Sequence, residues 1–472
     1  RNELRRFLRY LPTNPDRDVC RFRRRGWHTV TQAQAVLSTI LLLTLLAQAF
    51  VPAYRVLIVC SGAGLSCLAS TWLHTAPTSK ILAEIPWDVL IILVTLGLVS
   101  QLFAESRVFD RLAVVATRIS GAQPSRLTIV FALVMYVVSG IVNNLTALVL
   151  VLPVLHVLLR LGGTKQRYVS WTLGLLLVAC NLGGAATPIG DFPAILLLGR
   201  GSMTFVDYLR QAAPATAIAL AVLLVITAFI VRPAAGLPND PVSTGLTRSV
   251  MEAMHRRIVL ERKVFVPAAV SLGLMVLAWI FLPASWGIGP ELVCWLGASM
   301  ALLGNRRLGE KLARTGIEAE AVFFLLSLFV MVAAVRNTGL FEVVAHGLEG
   351  LPISPAGQLF AFLILAGVLT GLFSAGPSMA ALLEVAASLA KRLPPSAVYV
   401  GLALSVCAGS SLFLTAATSG PLAQALTERA DLRDTDGRSL TFGFFDFLPT
   451  GLLGFAVIEI VALGYAAWVL AS

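Results

Sequence analysis

A glycine-rich break inside an apolar run is the feature of this sequence that most restricts its fold. About 20 apolar residues form a helix that crosses a bilayer, and the apolar run at 169–198 is interrupted by NLGGAATPIGD at 181–191. Glycine and proline weaken a helix because one lacks a Cβ and the other lacks an N–H. Unpaired backbone at membrane depth is tolerated where it is buried in protein or lines a cavity. The break is therefore a candidate binding site; the alternative is a surface loop between two short helices.

Composition places the chain in a membrane. Of its 472 residues, 57% are hydrophobic and 13% are charged, against about 25% charged residues in soluble domains. The net charge of +11 comes from Lys and Arg clustered between apolar runs, which cytoplasmic loops explain more simply than nucleic-acid binding. The six cysteines form no CxxC, and no HExxH, nucleophile–base spacing or phosphate loop occurs. We predict an all-α polytopic membrane protein without a cofactor or enzymatic activity.

The chain divides into five parts by hydropathy and charge. They are a basic N-terminal arm (1–28), N-terminal transmembrane segments (29–84), a first repeat (85–231), a cytoplasmic linker (232–263) and a second repeat (264–472). The arm has nine Arg and is either an interfacial amphipathic helix or a disordered tail. Counting spans back from the linker places the arm outside, against the positive-inside rule. Either a helix precedes Arg1, or one of the first two apolar segments does not cross.

Two apolar stretches are too long for one span and are broken at their centres. In 126–161 the break is SGIVNN at 139–144, and in 354–390 it surrounds SAGPS at 374–378. A re-entrant hairpin, in which two half-helices meet at a polar tip, explains both the length and the break. The more charged segments at 107–120 and 337–350 are expected to lie along the membrane surface.

The two halves of the chain repeat each other at a nearly constant offset. Ser-Gly at 139–140 matches Thr-Gly at 370–371, and Ala-Ala-Thr at 185–187 matches the same tripeptide at 416–418, both at a shift of 231. Placing the basic loops in the cytoplasm makes the repeats inverted. Paired interrupted segments in corresponding halves are typical of secondary transporters that bind substrate near the midplane.

Two of these motifs resemble a known family. The run NNLTALVLVLPV (143–154) and the stretch NLGGAATPIGD followed by FPA (181–194) are similar to signatures of the ion transporter superfamily, most closely its ArsB and NhaD branch. The resemblance covers about residues 85–472. It implies an elevator-type homodimer in which hairpins and broken helices move against a scaffold, in a bacterial inner membrane.

The second half departs from the family pattern. SAGPS at 374–378 replaces a tip that commonly carries Asn or Asp, and GSSLFLTAAT at 409–418 replaces a second GG-x-x-T-x-IG motif. Ala194 also stands where the family usually has Asn. The second-half acid that the resemblance implies for a cation antiporter is therefore missing from both places.

The candidate ion- or substrate-binding residues are polar and lie at the tips and breaks. They are Asn143, Asn144, Thr146, Asn181, Thr187, Asp191, Ser374, Ser378, Ser410, Ser411, Thr415 and Thr418. Half-helix N-termini suit anions, whereas free carbonyls and half-helix C-termini suit Na⁺ or protons. Asp191 is singled out because intramembrane carboxylates are usually functional. It is either a proton- or cation-coupling residue, with Asn144 as a second ligand of a transported Na⁺, or an N-cap for the helix that follows.

Three functions remain open. A secondary transporter resembling the NhaD-type Na⁺/H⁺ antiporters is the leading hypothesis, because 181–191 is closest to that branch. The scarcity of acids at the tips favours an arsenite, inorganic-anion or dicarboxylate permease coupled to Na⁺ or H⁺. A transporter-like membrane sensor without flux is the third. Glu384 is either a cation ligand or a contact between hairpin and scaffold, and Glu459 in the last span either pairs with a neighbour or faces a dimer interface.

Overall fold

The fold is known from a computed structural model. It describes residues 31–50, 54–121, 123–161, 164–200, 202–235, 237, 245, 249, 259–282, 286–317, 319–417, 419–434 and 437–472. The basic arm and most of the linker lie outside these ranges. Eight helices of the described residues are long and apolar enough to cross a membrane, which confirms the predicted all-α polytopic class.

The described residues of the first half form ten helices. These are α1 (Gln32–Phe50), α2 (Arg55–Trp72), α3 (Thr78–Ala83), α4 (Trp87–Glu105), α5 (Val108–Ser120), α6 (Pro124–Ser139), α7 (Asn144–Leu161), α8 (Gln166–Ala186), α9 (Phe192–Gly199) and α10 (Phe205–Ile226), which a π-turn extends to Val231. α6 and α7 form the predicted hairpin 1. α8 and α9 are the two parts of the first broken helix.

The second half repeats this order. Its helices are α11 (Arg262–Phe281), α12 (Pro290–Leu303), α13 (Arg306–Thr315), α14 (Ala319–Arg336), α15 (Leu340–Glu349), α16 (Pro355–Phe373), α17 (Ala375–Leu389), α18 (Pro395–Ser410), α19 (Gly420–Arg429) and α20 (Phe444–Ala471). α16 and α17 form hairpin 2, and α18 and α19 form the second broken helix. α1–α3 precede the first hairpin in the same order as α11–α13 precede the second.

An odd number of crossings makes the repeats inverted. In each half a hairpin returns to its own side, and a broken helix counts as one crossing. If the first, second, fourth and tenth helices also cross, each half has five crossings. The second half therefore begins on the opposite side of the membrane, as transporters with inverted repeats do.

The two halves interlock by exchanging equivalent contacts. α2 packs on α14 and α12 packs on α4; likewise α9 packs on α17 and α19 packs on α7. α8 lies at the centre of the molecule, with 94% of its span buried, whereas α11 has only 17% buried and lies at the periphery. The first broken helix is thus held by protein on nearly all sides.

The first break is shorter than the sequence predicts. α8 remains helical through both glycines as far as Ala186, so that only 187–191 leaves the helix. Gly183 and Gly184 serve instead for close packing: a Cβ on Gly183 would lie 2.2 Å from the carbonyl oxygen of Tyr136 in hairpin 1. The glycines bring hairpin 1 against the broken helix rather than unwinding it.

Candidate ion-binding site

The tip of hairpin 1 is fixed onto the first break. Asn143 caps α7, since its Oδ1 accepts a 2.7 Å hydrogen bond from the Thr146 N–H. The Thr187 hydroxyl donates to the Gly140 carbonyl at 2.6 Å, and a Cβ on Gly190 would lie 2.8 Å from the Ser139 carbonyl oxygen. These contacts hold the tip and the break together as one unit.

Asn144 and Asp191 meet across the space that a side chain at Gly184 would fill. A Cβ on Gly184 would lie 2.6 Å from Asn144 Oδ1 and 2.8 Å from Asp191 Cβ. The Asn144 amide nitrogen points to the Asp191 carboxylate and makes a hydrogen bond to it, although the geometry of that bond is poor. Asp191 Oδ1 accepts from the Phe192 N–H at 2.8 Å. The N-cap predicted as the alternative role of Asp191 is therefore present, and the carboxylate still faces Asn144.

The hydrogen-bond acceptors around Ser139 and Asn144 outnumber the donors. The Ser139 hydroxyl lies 2.5 Å from Asn144 Oδ1 and 2.7 Å from the Cys180 carbonyl oxygen, yet it has one proton to donate. Turning the Asn144 amide over corrects this, because Nδ2 then donates to Ser139 and Ser139 donates to Cys180. The turn exchanges the hydrogen bond from Nδ2 to the Asp191 carboxylate for the one to Ser139. Amide oxygen and nitrogen are assigned from such networks. The turned amide places its oxygen beside the Asp191 carboxylate.

A small cavity lies next to this pair. Residues of both repeats line it, namely Ala185, Asp191, Pro193, Ala194, Tyr208, Ala375, Ala403, Val406, Cys407 and Ser410. Its volume is 10 Å³, which is about the least that holds one water molecule. Asp191 is the one charged residue among the described residues that line it. The cavity suits a single small cation or a water molecule.

Asn181 joins the two broken helices beside the cavity. Its Nδ2 lies 3.2 Å from the Ser410 carbonyl oxygen and 3.0 Å from Ser411 Oγ. The Ser411 hydroxyl donates to the Cys407 carbonyl at 3.0 Å. Asn181, Ser410 and Ser411 thus connect α8 to α18 across the pseudo-two-fold axis.

The tip of hairpin 2 closes the other side. Ser374 has φ +78°, a conformation that residues other than glycine rarely adopt. The buried Ser378 hydroxyl has no hydrogen-bond partner among the residues that the structure describes. A Cβ on Gly376 would lie 3.4 Å from the ring of Phe192, the residue after Asp191. Backbone strain and an unsatisfied hydroxyl at a tip are features expected of a ligand site.

Not every predicted residue joins the site. Thr146 contributes its backbone N–H to the cap of α7, Thr415 is exposed, and Thr418 lies outside the described residues. Ser139, Tyr208 and Cys407 also belong to the site, although they are not among the residues predicted from sequence. Tyr208 closes the cavity by donating to the Ala185 carbonyl at 2.8 Å. The match of Ser-Gly at 139–140 with Thr-Gly at 370–371 is a signal for Ser139, but nothing in the sequence pattern indicates the other two.

A larger basic vestibule lies between the base of hairpin 2 and α9. It has a volume of 490 Å³ and is lined by Arg200, Ser202, Arg336, Leu383, Glu384, Ala387, Ala390, Lys391, Pro395 and Tyr399. Arg200 Nη1 lies 2.8 Å from Glu384 Oε1, and Arg336 Nε lies 3.5 Å from Oε2. Glu384 therefore ties hairpin 2 to α14 and to the end of α9, which is the second of its two predicted roles.

No cluster of three or more His, Cys, Asp or Glu able to hold a metal ion occurs in the described part of the chain. The site of Asp191 and Asn144 has two side-chain ligands at most, together with backbone carbonyls and hydroxyls.

Comparisons with known proteins agree with this architecture. The chain is 28% identical over 356 residues to an uncharacterised transporter of Mycobacterium tuberculosis, which covers 74% of this chain and 80% of that protein. A 95-residue stretch is 28% identical to the Na⁺/H⁺ antiporter NhaD of Vibrio cholerae, covering 20% and 19% of the two chains. The YdaH transporter of Alcanivorax borkumensis has the same fold, with a TM-score of 0.58 at 13% identity over 93% of this chain and 99% of that one.

A match to a family model identifies the family to which the chain belongs. The model described as "Citrate transporter" (CitMHS) matches residues 39–409, which include both hairpins, the first broken helix and most of α18. The match confirms the expected ion transporter superfamily and supports a transporter rather than an enzyme. The chain is therefore a polytopic integral membrane protein that belongs to the citrate transporter (CitMHS) family.

Proposed function

We propose that this transporter is coupled to a monovalent cation, H⁺ or Na⁺, which binds between Asp191 and Asn144. Exchange of Na⁺ for H⁺ is the form of coupling that we favour. The other expectations are part of the same proposal: a homodimer in a bacterial inner membrane, whose hairpins and broken helices move as an elevator.

The hydrogen-bond balance at Asn144 carries this proposal. In the orientation that satisfies Ser139 and Cys180, an amide oxygen faces a carboxylate. Two acceptors side by side repel each other unless a proton or a cation lies between them. Both oxygens are also good ligands for Na⁺, which prefers hard oxygen donors, as other hard cations do.

Size and charge favour the same class of ligand. The cavity of 10 Å³ excludes an organic anion in this conformation. Asp191 would also repel an anion, since the described lining has no basic residue to balance it. The short similarity to a Na⁺/H⁺ antiporter is in accord with a cation.

An anionic substrate, carried together with the cation, is the second candidate function. The vestibule supports it, because Arg200, Arg336 and Lys391 outnumber the single carboxylate of Glu384. Its 490 Å³ lies in the range of small-molecule pockets. Arginine pairs are well suited to binding carboxylates and other oxyanions.

Flux in proteoliposomes tests these functions. Na⁺, Li⁺, arsenite, sulfate and dicarboxylates would be tested with and without a pH gradient. We expect Na⁺ flux driven by a pH gradient; anion uptake that requires the cation would identify the second candidate. No gradient-driven flux of any tested ion would contradict both and support the sensor.

Asp191→Asn separates coupling from capping. Asparagine caps a helix about as well as aspartate, so that a residue that only caps α9 tolerates this change. A coupling residue does not, because asparagine has neither the charge nor the titrating proton. We expect the variant to keep its thermal stability and lose pH-driven flux, and unchanged flux would refute the assignment.

A further inference from the structure

A second buried carboxylate lies outside the site formed by Asp191. Glu459 is in the middle of α20, with 6% of its surface exposed. Its Oε1 accepts a 3.1 Å hydrogen bond from the Ser405 hydroxyl of α18. Its buried Oε2 has no hydrogen-bond partner in the described part of the chain. Ionisable residues inside membrane proteins are costly and in most cases functional.

The unpaired oxygen occupies a space that a glycine of hairpin 2 leaves open. A Cβ on Gly367 of α16 would lie 2.8 Å from Glu459 Oε2 and 3.4 Å from its Cδ. α16 also touches α18 here, since a Cβ on Gly409 would lie 2.2 Å from the Gly367 carbonyl oxygen. The carboxyl group therefore lies at the junction of hairpin 2, the second broken helix and the last helix.

No opposite charge balances Glu459 among the described residues. Ser405 is the one side chain with which its carboxylate interacts. α16 has no titratable residue. The titratable residues of the other helices packed on α20 make no contact with it: Arg167, Tyr168 and Cys180 on α8, Asp207, Tyr208 and Arg210 on α10, and Tyr399 and Cys407 on α18. An unpaired buried charge costs several kcal/mol, and a bound proton removes that cost.

We propose that Glu459 is a second proton-carrying residue of this transporter, which holds a proton while Gly367 packs against it and exchanges it with water when hairpin 2 moves away. The inference rests on the proposed cation-coupled function. The proton comes from one aqueous side and returns to the other, so that only an O–H bond forms and breaks.

The position of Ser405 links this residue to the ion site. Ser405 lies five residues before Ser410, which lines the cavity beside Asp191. Along a helix this separation is about 7.5 Å. α18 therefore hydrogen-bonds to Glu459 through Ser405 and lines the cavity beside Asp191 through Ser410.

Glu459→Gln distinguishes a proton carrier from a structural acceptor. Glutamine keeps the shape of the side chain and an oxygen that accepts from Ser405, so a purely structural role survives the change. The glutamine amide does not bind and release a proton at any pH at which the protein is folded. Ser405→Ala is the matched variant that removes the hydrogen bond and leaves the carboxyl group in place.

Infrared titration of the full chain in lipid nanodiscs tests the proposal without any transported ion. We expect Glu459→Gln to remove a titrating protonated-carboxyl band that Asp191→Asn and Ser405→Ala retain. If Glu459→Gln does not fold, Gly367→Ala displaces the same carboxyl group, and we expect it to shift that band. A spectrum identical to that of the wild type in the variant that folds would overturn the proposal.

Flux in proteoliposomes, with ²²Na⁺ as the probe, gives a second test. We expect Glu459→Gln to keep Na⁺ exchange in the absence of a pH gradient and to lose the flux that a pH gradient drives. Full pH-driven flux in this variant would overturn the proposed role of Glu459 and leave the coupling at Asp191 untouched. Absence of Na⁺ flux in the wild type would refute the Na⁺ coupling instead, and the infrared titration then decides about Glu459.

Discussion

Gly183→Ala is the change that most sharply tests how hairpin 1 is held against the broken helix. Its Cβ would lie 2.2 Å from the Tyr136 carbonyl oxygen and 2.9 Å from the Tyr136 Cα. Both are backbone atoms, so that no side-chain rotation relieves the contact. Ordinary contacts begin at 3.4 Å; hairpin 1 must therefore retreat by the difference, which is 1.2 Å.

A shift of this size affects both stability and transport. Overpacking costs about 1–3 kcal/mol, and loss of the hydrogen bond from Thr187 to Gly140 adds about 1 kcal/mol. Misplacement of site groups by about 1 Å lowers the rate of a positioned reaction by about 100-fold. We expect a loss of pH-driven flux of that order together with a lower temperature of unfolding.

The assay compares Gly183→Ala with a matched glycine that has open space around it. No atom lies within 4 Å of a Cβ built on Gly97 in α4. Alanine is the better helix former there by about 1 kcal/mol, so Gly97→Ala should keep its flux and its stability. Equal flux in the two variants would refute the close packing of hairpin 1 on α8.

Three further predictions follow from individual contacts. Asn181→Ala removes the two hydrogen bonds to α18 and should lower the free energy of unfolding by about 1–3 kcal/mol, measured by thermal unfolding in detergent; an unchanged transition would contradict the contact. Ser374→Gly relieves the backbone conformation at φ +78° and should raise the free energy of unfolding by about 1 kcal/mol, whereas a loss of stability would contradict the strain. Glu384→Gln weakens the ion pairs with Arg200 and Arg336 and should increase labelling of a cysteine introduced at Ser202 in the vestibule; unchanged labelling would contradict a tie between hairpin 2 and its neighbours.

Much of the architecture could be predicted from sequence because it depends on hydropathy and local backbone chemistry. The over-long apolar stretches predicted both hairpins, and the repeated tripeptide predicted a second broken helix. α3 and α13 were missed because α3 has six residues and half of the residues of α13 are charged, so that neither leaves a signal in hydropathy.

The site itself was predicted only in part, because its contacts join residues far apart in the chain. The polar tips and breaks led to Asn144, Asp191 and Ser410. Gly183 and Gly184 were expected to unwind α8, yet they remain helical. They allow α8 to pack closely on hairpin 1. The part played by Tyr208 likewise depends on α10 packing beside the break, which no local pattern indicates.

Equilibrium binding of ²²Na⁺ to the purified protein, measured across a range of pH, tests the cation site most directly. The wild type should bind Na⁺ in competition with protons, because one carboxylate accepts either. Asp191→Asn should lose this binding while its temperature of unfolding stays the same. Binding of Na⁺ by Asp191→Asn with the affinity and pH dependence of the wild type would contradict the assignment of the coupling ion to Asp191 and Asn144.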